Sequence, residues 1–355
     1  MTRYRVEIFG KDFSYKAHAE VSSKTINIDY LAIGTSVLVV PGVIEAEEND
    51  FITLKMDGVE KYTGLITSLS YGEKSTEITV RSFMSLFDTD VMIDITRLEA
   101  EAVEDVIAEK LTQMYAGADS TQAITGFSCV VNHQTIGAVI GEDYVYNLYE
   151  LIIYLLKKYG VIVHFSLNVP SKTLTCSIDH IDTSSVYIIK ASVGDVAECL
   201  IDVRAIQSDH NKATYYNELD LTESITYYLH TDGTIDTDAN VNRFYPVVGT
   251  ELVVAPVEDE EDPKTFQEVA YEDALTTLVA SEYNNEIDIT IKADSSLIQI
   301  GQLGQLYSVI NYDGTVYTSI LTGFEEVNPK YVTLKLGYVR TDLTAILKMQ
   351  RRGKR

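Results

Sequence analysis

The chain has 355 residues, 46% of them hydrophobic, which is enough to bury two or three cores or one large β domain. It carries 53 acidic and 28 basic residues, and the net charge of −25 argues against a free-standing nucleic-acid-binding protein, because such proteins present a basic face. No apolar run approaches the ~18 residues of a membrane-spanning helix, and the N-terminus lacks a secretory signal, so we expect synthesis and folding in a cytoplasm.

Residues 1–95 predict a β domain. Asp57-Gly58 lies between two segments of alternating apolar and polar residues, and this dipeptide is typical of a tight hairpin turn. Closely spaced short strands without an intervening helix predict a barrel or a sandwich, and we assign 1–95 to a first β-barrel. The predicted strands lie at 3–9, 12–19, 36–40, 51–56, 61–70 and 76–82.

Residues 96–200 predict an α+β insertion domain. Thr96 and Glu99 match a capping box ahead of an apolar stripe with helical spacing. A second helix is predicted over 147–159, and Gly160 fits its C-terminal cap. A β-hairpin follows, with strands at 161–167 and 173–178.

Residues 201–284 predict a second insertion domain that ends in a helix. Asp262 and Pro263 suit the N-cap and the first turn of that helix. The acidic run 258–262 is interpreted as a solvated loop. The predicted strands of this domain lie at 202–207, 217–222, 225–231 and 234–236.

Residues 285–345 return to β structure, beginning with the clean alternation of Ile287, Ile289 and Ile291. We predict a second β-barrel here and a frayed basic tail over 346–355. The fold class is therefore α+β and mainly β, with two related β-barrel domains flanking α+β insertion domains.

The two β regions share a repeated pattern, because 54–81 and 309–335 each read as strand, Asp-Gly turn, strand, loop, strand. Ordinary hairpins can share such composition, but the common order of elements favours a structural duplication. Two similar modules in one chain suit a ring of three chains, whose six modules would face a sixfold tube. The matched residues are Asp57, Gly58, Tyr62 and Thr63 in the first copy and Asp313, Gly314, Tyr317 and Thr318 in the second, followed by 78–81 matched with 332–335.

This order of domains, with residues 64–67 and the closing stretch 331–337, resembles the tail-tip and baseplate hub proteins of tailed phages. These include the hub of contractile tails and the N-terminal hub region of the tail-associated lysins of long-tailed phages. The resemblance implies a homotrimeric ring in the virion tail that joins the tail tube or distal tail protein to a spike, fibre or lysin. It implies DNA in transit through a central channel and no catalytic residues. Because the chain ends soon after the second β region, we expect a separate protein to supply any lytic activity.

No residue pattern predicts a catalytic, cofactor or metal site. The six histidines form no HExxH motif, and no GxSxG, GxxxxGK[ST] or GxGxxG motif occurs. His180 and Asp182 could pair at a metal, but a histidine beside an aspartate is more often structural. Asp232, Asp236 and Asp238 lack the glycine and glutamate of an EF-hand loop. The cysteines form no CxxC pair and are interpreted as reduced hydrophobic residues: Cys129, Cys176 and Cys199.

We therefore predict a non-enzymatic structural hub without a cofactor. The alternatives are a host-wall carbohydrate-binding or adhesion component of the same particle, and a polysaccharide-active enzyme. A sugar binder commonly exposes aromatic platforms, often Trp, and the chain contains no Trp. The acidic excess predicts a channel wall to which DNA does not stick, with charge spread evenly over the outside as the alternative.

Overall fold

A computed structural model describes residues 4–117, 123–140, 144–202, 210–230, 234–239, 247–256, 263–278, 283, 285–293, 295, 303–328 and 330–338. The chain divides into two compact units. Unit 1 comprises Met1–Leu200 and Asp288–Leu336, and unit 2 comprises Ile201–Ile287 and Gly337–Arg355.

The elements alternate between long β stretches and single helices. In chain order they are β1 (Tyr4–Phe9), β2 (Tyr15–Glu20), β3 (Ser23–Asp29), β4 (Thr35–Pro41), β5 (Phe51–Met56), β6 (Val59–Tyr71), β7 (Ser75–Arg81), β8 (Asp90–Met92), α1 (Val103–Tyr115), β9 (Phe127–Val131), β10 (Val145–Asn147), α2 (Leu148–Tyr159), β11 (Val161–Asn168), β12 (Thr173–His180), β13 (Val186–Lys190), β14 (Val196–Asp202), β15 (Lys212–Asn217), β16 (Asp220–Leu229), β17 (Ile235–Asp236), β18 (Gly249–Val254), α3 (Phe266–Leu278), β19 (Glu286–Lys292), β20 (Leu306–Ile310), β21 (Val316–Asn328) and β22 (Tyr331–Leu336).

Both β regions belong to one 13-stranded sheet. Its strand order is β14-β19-β22-β21-β3-β4-β7-β6-β5-β1-β2, with β20 beside β21 and β13 beside β20. The mainly β class with helical insertions is therefore as predicted. Among the described strands the pairing closes no separate barrel, because β3 pairs with β21 and joins the two regions in one sheet.

The sheet buries one face because its strands alternate apolar and polar side chains. Ile287, Ile289 and Ile291 on β19 are fully buried, as the alternation predicts, and Leu38 and Val40 are buried in the same way on β4. The two faces of each strand are thus fixed by sequence, and a register slip of one residue would expose this core.

The α+β insertion contains the three-stranded sheet β11-β12-β9 and two helices. α2 begins where predicted: the Asn147 side chain accepts from two backbone N–H groups, and Gly160, with φ of 70°, follows its last residue. The predicted capping box at Thr96 is wrong. Thr96 donates instead to Asp94, which caps a 3₁₀ turn over Ile95–Glu99, and α1 starts later, at Val103.

Unit 2 contains the four-stranded sheet β17-β16-β15-β18, and α3 packs on one face of it. The predicted strand at 217–222 is wrong, because this segment contains the turn between β15 and β16. The helix starts beside a capping box that we did not predict, in which Thr265 and Glu268 bond each other's backbone N–H groups. Asp232, Asp262, the acidic run 258–262, the predicted basic tail 346–355 and most of the predicted strand at 202–207 lie outside the described residues.

Gly64 allows β6 and β7 to approach closely, and Gly64→Ala is expected to destabilise unit 1. A Cβ at Gly64 would lie 2.2 Å from the backbone oxygen of Arg81, so the strands would have to separate. We expect a loss of about 1–3 kcal/mol, measured by urea unfolding of the whole chain. Gly194→Ala is the matched control, because a Cβ there meets nothing within 4 Å. Equal stability of the two variants would contradict the prediction.

Candidate assembly interface

The two Asp-Gly hairpins of the sheet have the same register in their arms. In the first, Phe51 pairs with Leu65 and Leu54 with Tyr62. In the second, the corresponding pairs are Leu306 with Ile320 and Val309 with Tyr317. Every one of these residues lies 255 positions after its counterpart, since 306 − 51, 309 − 54, 317 − 62 and 320 − 65 give the same difference. The tyrosine and threonine of each copy, Tyr62-Thr63 and Tyr317-Thr318, therefore occupy matching strand positions.

The two turns themselves differ. Asp57 and Gly58 alone connect β5 to β6, with φ of 49° and 86°, the conformation of the tight hairpin turn predicted from this dipeptide. Asp313 and Gly314 lie in a wider loop, in which the Asn311 N–H donates to the Thr315 carbonyl and the Gly314 N–H donates to the Asn311 carbonyl. A bulge in the first hairpin, next to Leu54, compensates for its shorter turn. The paired strands beyond the bulge therefore have the same register as those of the second hairpin.

Each long strand carries a β-bulge at the same threonine of the repeat. In β6 the bulge lies between Ile66 and Ser68, and Thr67 Oγ1 donates to the backbone oxygen of Thr79 at 3.2 Å. In β21 it lies between Leu321 and Gly323, and Thr322 Oγ1 donates to the backbone oxygen of Lys335 at 3.3 Å. Bulges bend a strand and increase its twist, so both modules curl at the same place.

The residues that enter the two hairpins also match. Asn49 has a φ of 68° and its N–H donates to the Ile66 carbonyl at 2.7 Å. Gly304 has a φ of 85° and donates to the Leu321 carbonyl at 2.8 Å. A positive φ is uncommon outside glycine, so the conformation of Asn49 is specific, and Gly304 adopts the same conformation with the same hydrogen bond at the matching position.

The third strands agree in pairing but not in the predicted alignment. Ile66 pairs with Val80 in one copy, and Leu321 pairs with Leu336 in the other. Lys335 therefore corresponds to Thr79, whereas the sequence match placed Thr333 there. The alignment of 78–81 with 332–335 is displaced by two residues, which leaves each side chain on the correct face because the side-chain period of a strand is two.

The two modules meet where β3 pairs with the second half of β21, and we call this pairing the β3–β21 seam. Gly323 pairs with Asp29, and Glu326 pairs with Ile26. Phe324 and Ile26 are each only 2% exposed at this seam.

A buried ion pair crosses the seam. Lys24 Nζ contacts the Glu326 carboxylate, and both side chains are less than 10% exposed, at 8% and 7%. Tyr4 Oη donates to Glu326 at 2.9 Å, and Lys24 Nζ lies 3.9 Å from the centroid of the Tyr4 ring. Burial lowers the pKa of Lys24, and the Glu326 carboxylate opposes that shift. Lys24 Nζ is buried without a hydrogen-bond partner of good geometry, so its charge is balanced mainly by the nearby Glu326 carboxylate and the Tyr4 ring.

Among the described strands, those that match the two sides of the seam lack a second pairing partner at the other ends of the two modules. They are β14 in the second module, which matches β3, and the second half of β6 in the first module, which matches the second half of β21. β14 lies beside β19 just as β3 lies beside β4, and no further described strand pairs with it. On β6, residues 68–71 pair with β7 but, within the described chain, with no strand on the other side. Leu200 on β14 is 58% exposed and Tyr71 on β6 is 55% exposed. We call these the β14 edge (196–200) and the β6 edge (68–71).

The candidate metal residues lie in a different place, around a cavity of about 580 Å³ in unit 1. His180 Nε2 is 2.9 Å from the Glu104 carboxylate, which is itself fully buried and also accepts from the N–H and hydroxyl of Thr135. The Asp182 carboxylate accepts hydrogen bonds from the N–H and the hydroxyl of Ser184, and these hydrogen bonds lower the pKa of Asp182. His180 and Asp182 therefore each serve a local structural contact.

Two of the aspartates compared with an EF-hand loop, Asp236 and Asp238, also make contacts with nearby residues. Asp236 lies 2.8 Å from His230 Nε2 and accepts from the N–H of Asp238 at 2.6 Å. Throughout the part of the chain that the structure describes, no group of three or more His, Cys, Asp and Glu side chains is arranged to hold a metal ion. No described helix is long and apolar enough to cross a membrane.

His164, which also lines the cavity, is expected to make the fold sensitive to mild acid. Burial lowers the pKa of His164 below its ordinary 6.5, although the Asp179 charge opposes this. The unfolded chain then binds the proton more readily, so stability is full above pH ~6.5 and falls as the pH drops towards the folded-state pKa. His164→Gln should reduce the loss of melting temperature between pH 7 and pH 5. Parallel losses in both proteins, measured by calorimetry, would refute this.

No protein-family model matches the chain, and no curated protein sequence matches it. The fold, however, is that of phage tail and baseplate proteins. A tail protein from Neisseria meningitidis MC58 aligns over 94% of this chain and 96% of its own length, with 15% identity and a TM-score of 0.57. The 43 kDa tail protein of prophage MuSo2 from Shewanella oneidensis aligns over 96% and 98%, with 13% identity and a TM-score of 0.53.

A chain of the phage P2 baseplate in its activated conformation aligns over 96% of this chain and all of its own length, with 10% identity and a TM-score of 0.53. At such low identities the likeness shows a shared fold. It spans both β regions and both insertions, because nearly the whole of each chain is matched.

Proposed function

We propose that this chain is the structural hub of the tail tip of a phage or phage-like particle, and that it acts without catalysis. In this proposal three copies form a ring in the virion tail. One face of the ring binds the tail tube or distal tail protein, and the other binds a spike, fibre or lysin. The shared fold with tail and baseplate proteins supports a place in the tail.

The proposal depends on the duplication of one β module within the chain. Its support is the common register of the two hairpins, the common bulge at Thr67 and Thr322, and the common entry residues Asn49 and Gly304. The further statement that each module is a closed barrel stays a prediction.

The proposed ring forms when neighbouring chains make the same strand pairing that the β3–β21 seam makes inside one chain. The β3–β21 seam joins the modules inside one chain, and the β14 and β6 edges are the same two surfaces left unpaired at its ends. Pairing the β14 edge of one copy with the β6 edge of the next would repeat the seam. Because the two edges differ, the contact is head-to-tail and not a symmetric dimer, and it gives a ring when the rotation between neighbouring copies closes. Six modules, matching a sixfold tube, require three chains.

The test is the mass of the full chain in solution at high protein concentration. Sedimentation equilibrium should give an assembly of three times 39.6 kDa, and a reconstruction should show alternating intrachain and interchain seams. A stable dimer with a large apolar interface would contradict the proposal. A monomer in dilute solution would place the driving force for assembly in the partner proteins.

We further propose that part of the net charge of −25 lines the channel through which DNA passes. Like charge removes the counterion release that makes basic proteins grip phosphates. Screening limits this effect to ~8 Å at physiological salt, so only carboxylates near the DNA path contribute. Placing Asp and Glu on a reconstructed ring tests this, and a neutral or basic inner wall would overturn it.

A further inference from the structure

Two of the three cysteines, far apart in sequence, face each other across neighbouring strands. β9 and β12 are parallel, and Cys129 is the direct register partner of Cys176. Both thiols are free, and the interaction between them shifts the pKa of each. Cys199, on β14, has no part in this pair.

The backbone geometry at this pair matches the requirements of a disulfide. Neighbouring strands lie ~4.8 Å apart, and register partners direct their side chains to the same face of the sheet. A disulfide spans Cα–Cα separations of about 4.4–6.8 Å, so the bond needs rotation of the two side chains and no separation of the strands.

The two thiols differ in solvent exposure and in pKa. In a two-step oxidation, the more exposed thiol of lower pKa reacts first and the buried thiol reacts second. Cys129 is half-buried, so a small oxidant can reach it, and the hydrogen bond from Cys176 lowers its pKa. Cys176 is fully buried, and the same hydrogen bond, together with burial, raises its pKa. The thiolate is the reactive form, which makes Cys129 the attacking group and Cys176 the group that completes the bond.

We propose that Cys129 and Cys176 form an intrachain disulfide when the protein meets a small disulfide oxidant. The Cys129 thiolate attacks one sulfur of oxidised glutathione, forms a mixed disulfide and releases one glutathione thiolate. Cys176 then loses its proton and attacks the Cys129 sulfur, which releases the second glutathione. The protein loses two protons and two electrons, and one oxidised glutathione becomes two reduced molecules.

The bond would fasten β9 to β12 around the segment that contains α2 and β11. Cross-linking removes conformational freedom from the unfolded chain, and this stabilisation grows with the size of the closed loop. Cytosolic thiols are kept reduced, whereas disulfides persist outside cells, so the bond would form after the protein leaves the cytoplasm. The α+β insertion would then be reinforced in the environment where no chaperone can refold it.

The test uses the purified full chain, reduced and then incubated with oxidised glutathione. We expect one reactive thiol to remain of the three, a peptide pair joined through Cys129 and Cys176 in mass spectrometry, and a melting temperature raised by roughly 5 °C or more. Reductant should reverse all three changes. Cys199→Ala, the matched control, should form the same bond and keep no free thiol.

Cys176→Ala separates the two steps of the reaction. It should stop at the mixed disulfide, so that Cys129 carries glutathione and the melting temperature does not rise. Three free thiols in the oxidised wild-type chain, a persistent Cys129–glutathione adduct in it, or a bond that involves Cys199 would each overturn the proposal. The thiol count and the joined peptides are independent of assembly, so they stand apart from the proposed hub function.

Discussion

Lys24→Met is expected to destabilise unit 1 by about 3–5 kcal/mol, because it leaves the Glu326 carboxylate buried without its cation. Tyr4 would remain the donor to Glu326, and one neutral donor does not compensate a buried charge. The effect should concentrate at the β3–β21 seam. Hydrogen exchange should therefore speed up most in β3 and in the second half of β21, and urea unfolding should report the total loss.

The double variant Lys24→Met with Glu326→Leu is the control for this prediction. Replacing both charges by apolar groups removes the desolvation penalty, and such replacements are often neutral. The double variant should thus regain most of the stability that the single variant loses. If the double variant were no more stable than Lys24→Met, the loss would come from packing, and the ion pair would not hold the seam.

The sequence predicted the parts of this fold whose cause is local. The turn at Asp57-Gly58 forms because the chain there needs positive φ at two positions. α2 ends at Gly160 for the same reason, and the three isoleucines of β19 are buried because their spacing matches a strand. Each of these features depends on a few adjacent residues, so single-sequence reasoning reaches it.

The two capping boxes show where local reasoning stops. Thr96 and Glu99 fit the pattern, but a competing acceptor, Asp94, takes the Thr96 N–H and hydroxyl. Thr265 and Glu268 fit it equally well and do form the box. The pattern alone does not rank these sites, because the competitor lies just outside it.

The sequence alone does not predict the candidate interface, because several of its strands form only by pairing with distant strands. We did not predict β3, β13 or β14, which pair with strands far away in the chain: β21, β20 and β19. Lys24 on β3 and Glu326 on β21 become partners only through this distant pairing, and both look like ordinary surface charges in the sequence. Cys129 and Cys176 likewise become neighbours only through the parallel register of β9 and β12.

The second large effect is expected at the β14 edge, where Leu200→Asp should prevent assembly of the ring and leave the chain folded. Leu200 is 58% exposed, so the substitution creates no buried charge in the single chain. In the proposed ring this position would be covered, as Ile26 is covered in the β3–β21 seam, and an aspartate there would be desolvated without a partner. Sedimentation should give a monomer with an unchanged circular dichroism spectrum.

Leu219→Asp is the matched control, because Leu219 is 70% exposed but belongs to the turn between β15 and β16 in unit 2 and to neither edge strand. It should assemble like the unaltered chain. Loss of assembly in both variants would point to a general effect of added negative charge, and raising the salt concentration would then restore it.

A mixing experiment tests the head-to-tail geometry itself. Tyr71→Asp should block the β6 edge and give a monomer, as Leu200→Asp does at the β14 edge. Each variant retains the edge that the other has lost, so an equimolar mixture can form one interface and no ring. The expected product is a one-to-one heterodimer of twice 39.6 kDa, with nothing larger. If the edges met symmetrically, each to its own kind, either variant alone would still form dimers through its intact edge, and mixing would produce no preference for the unlike pair.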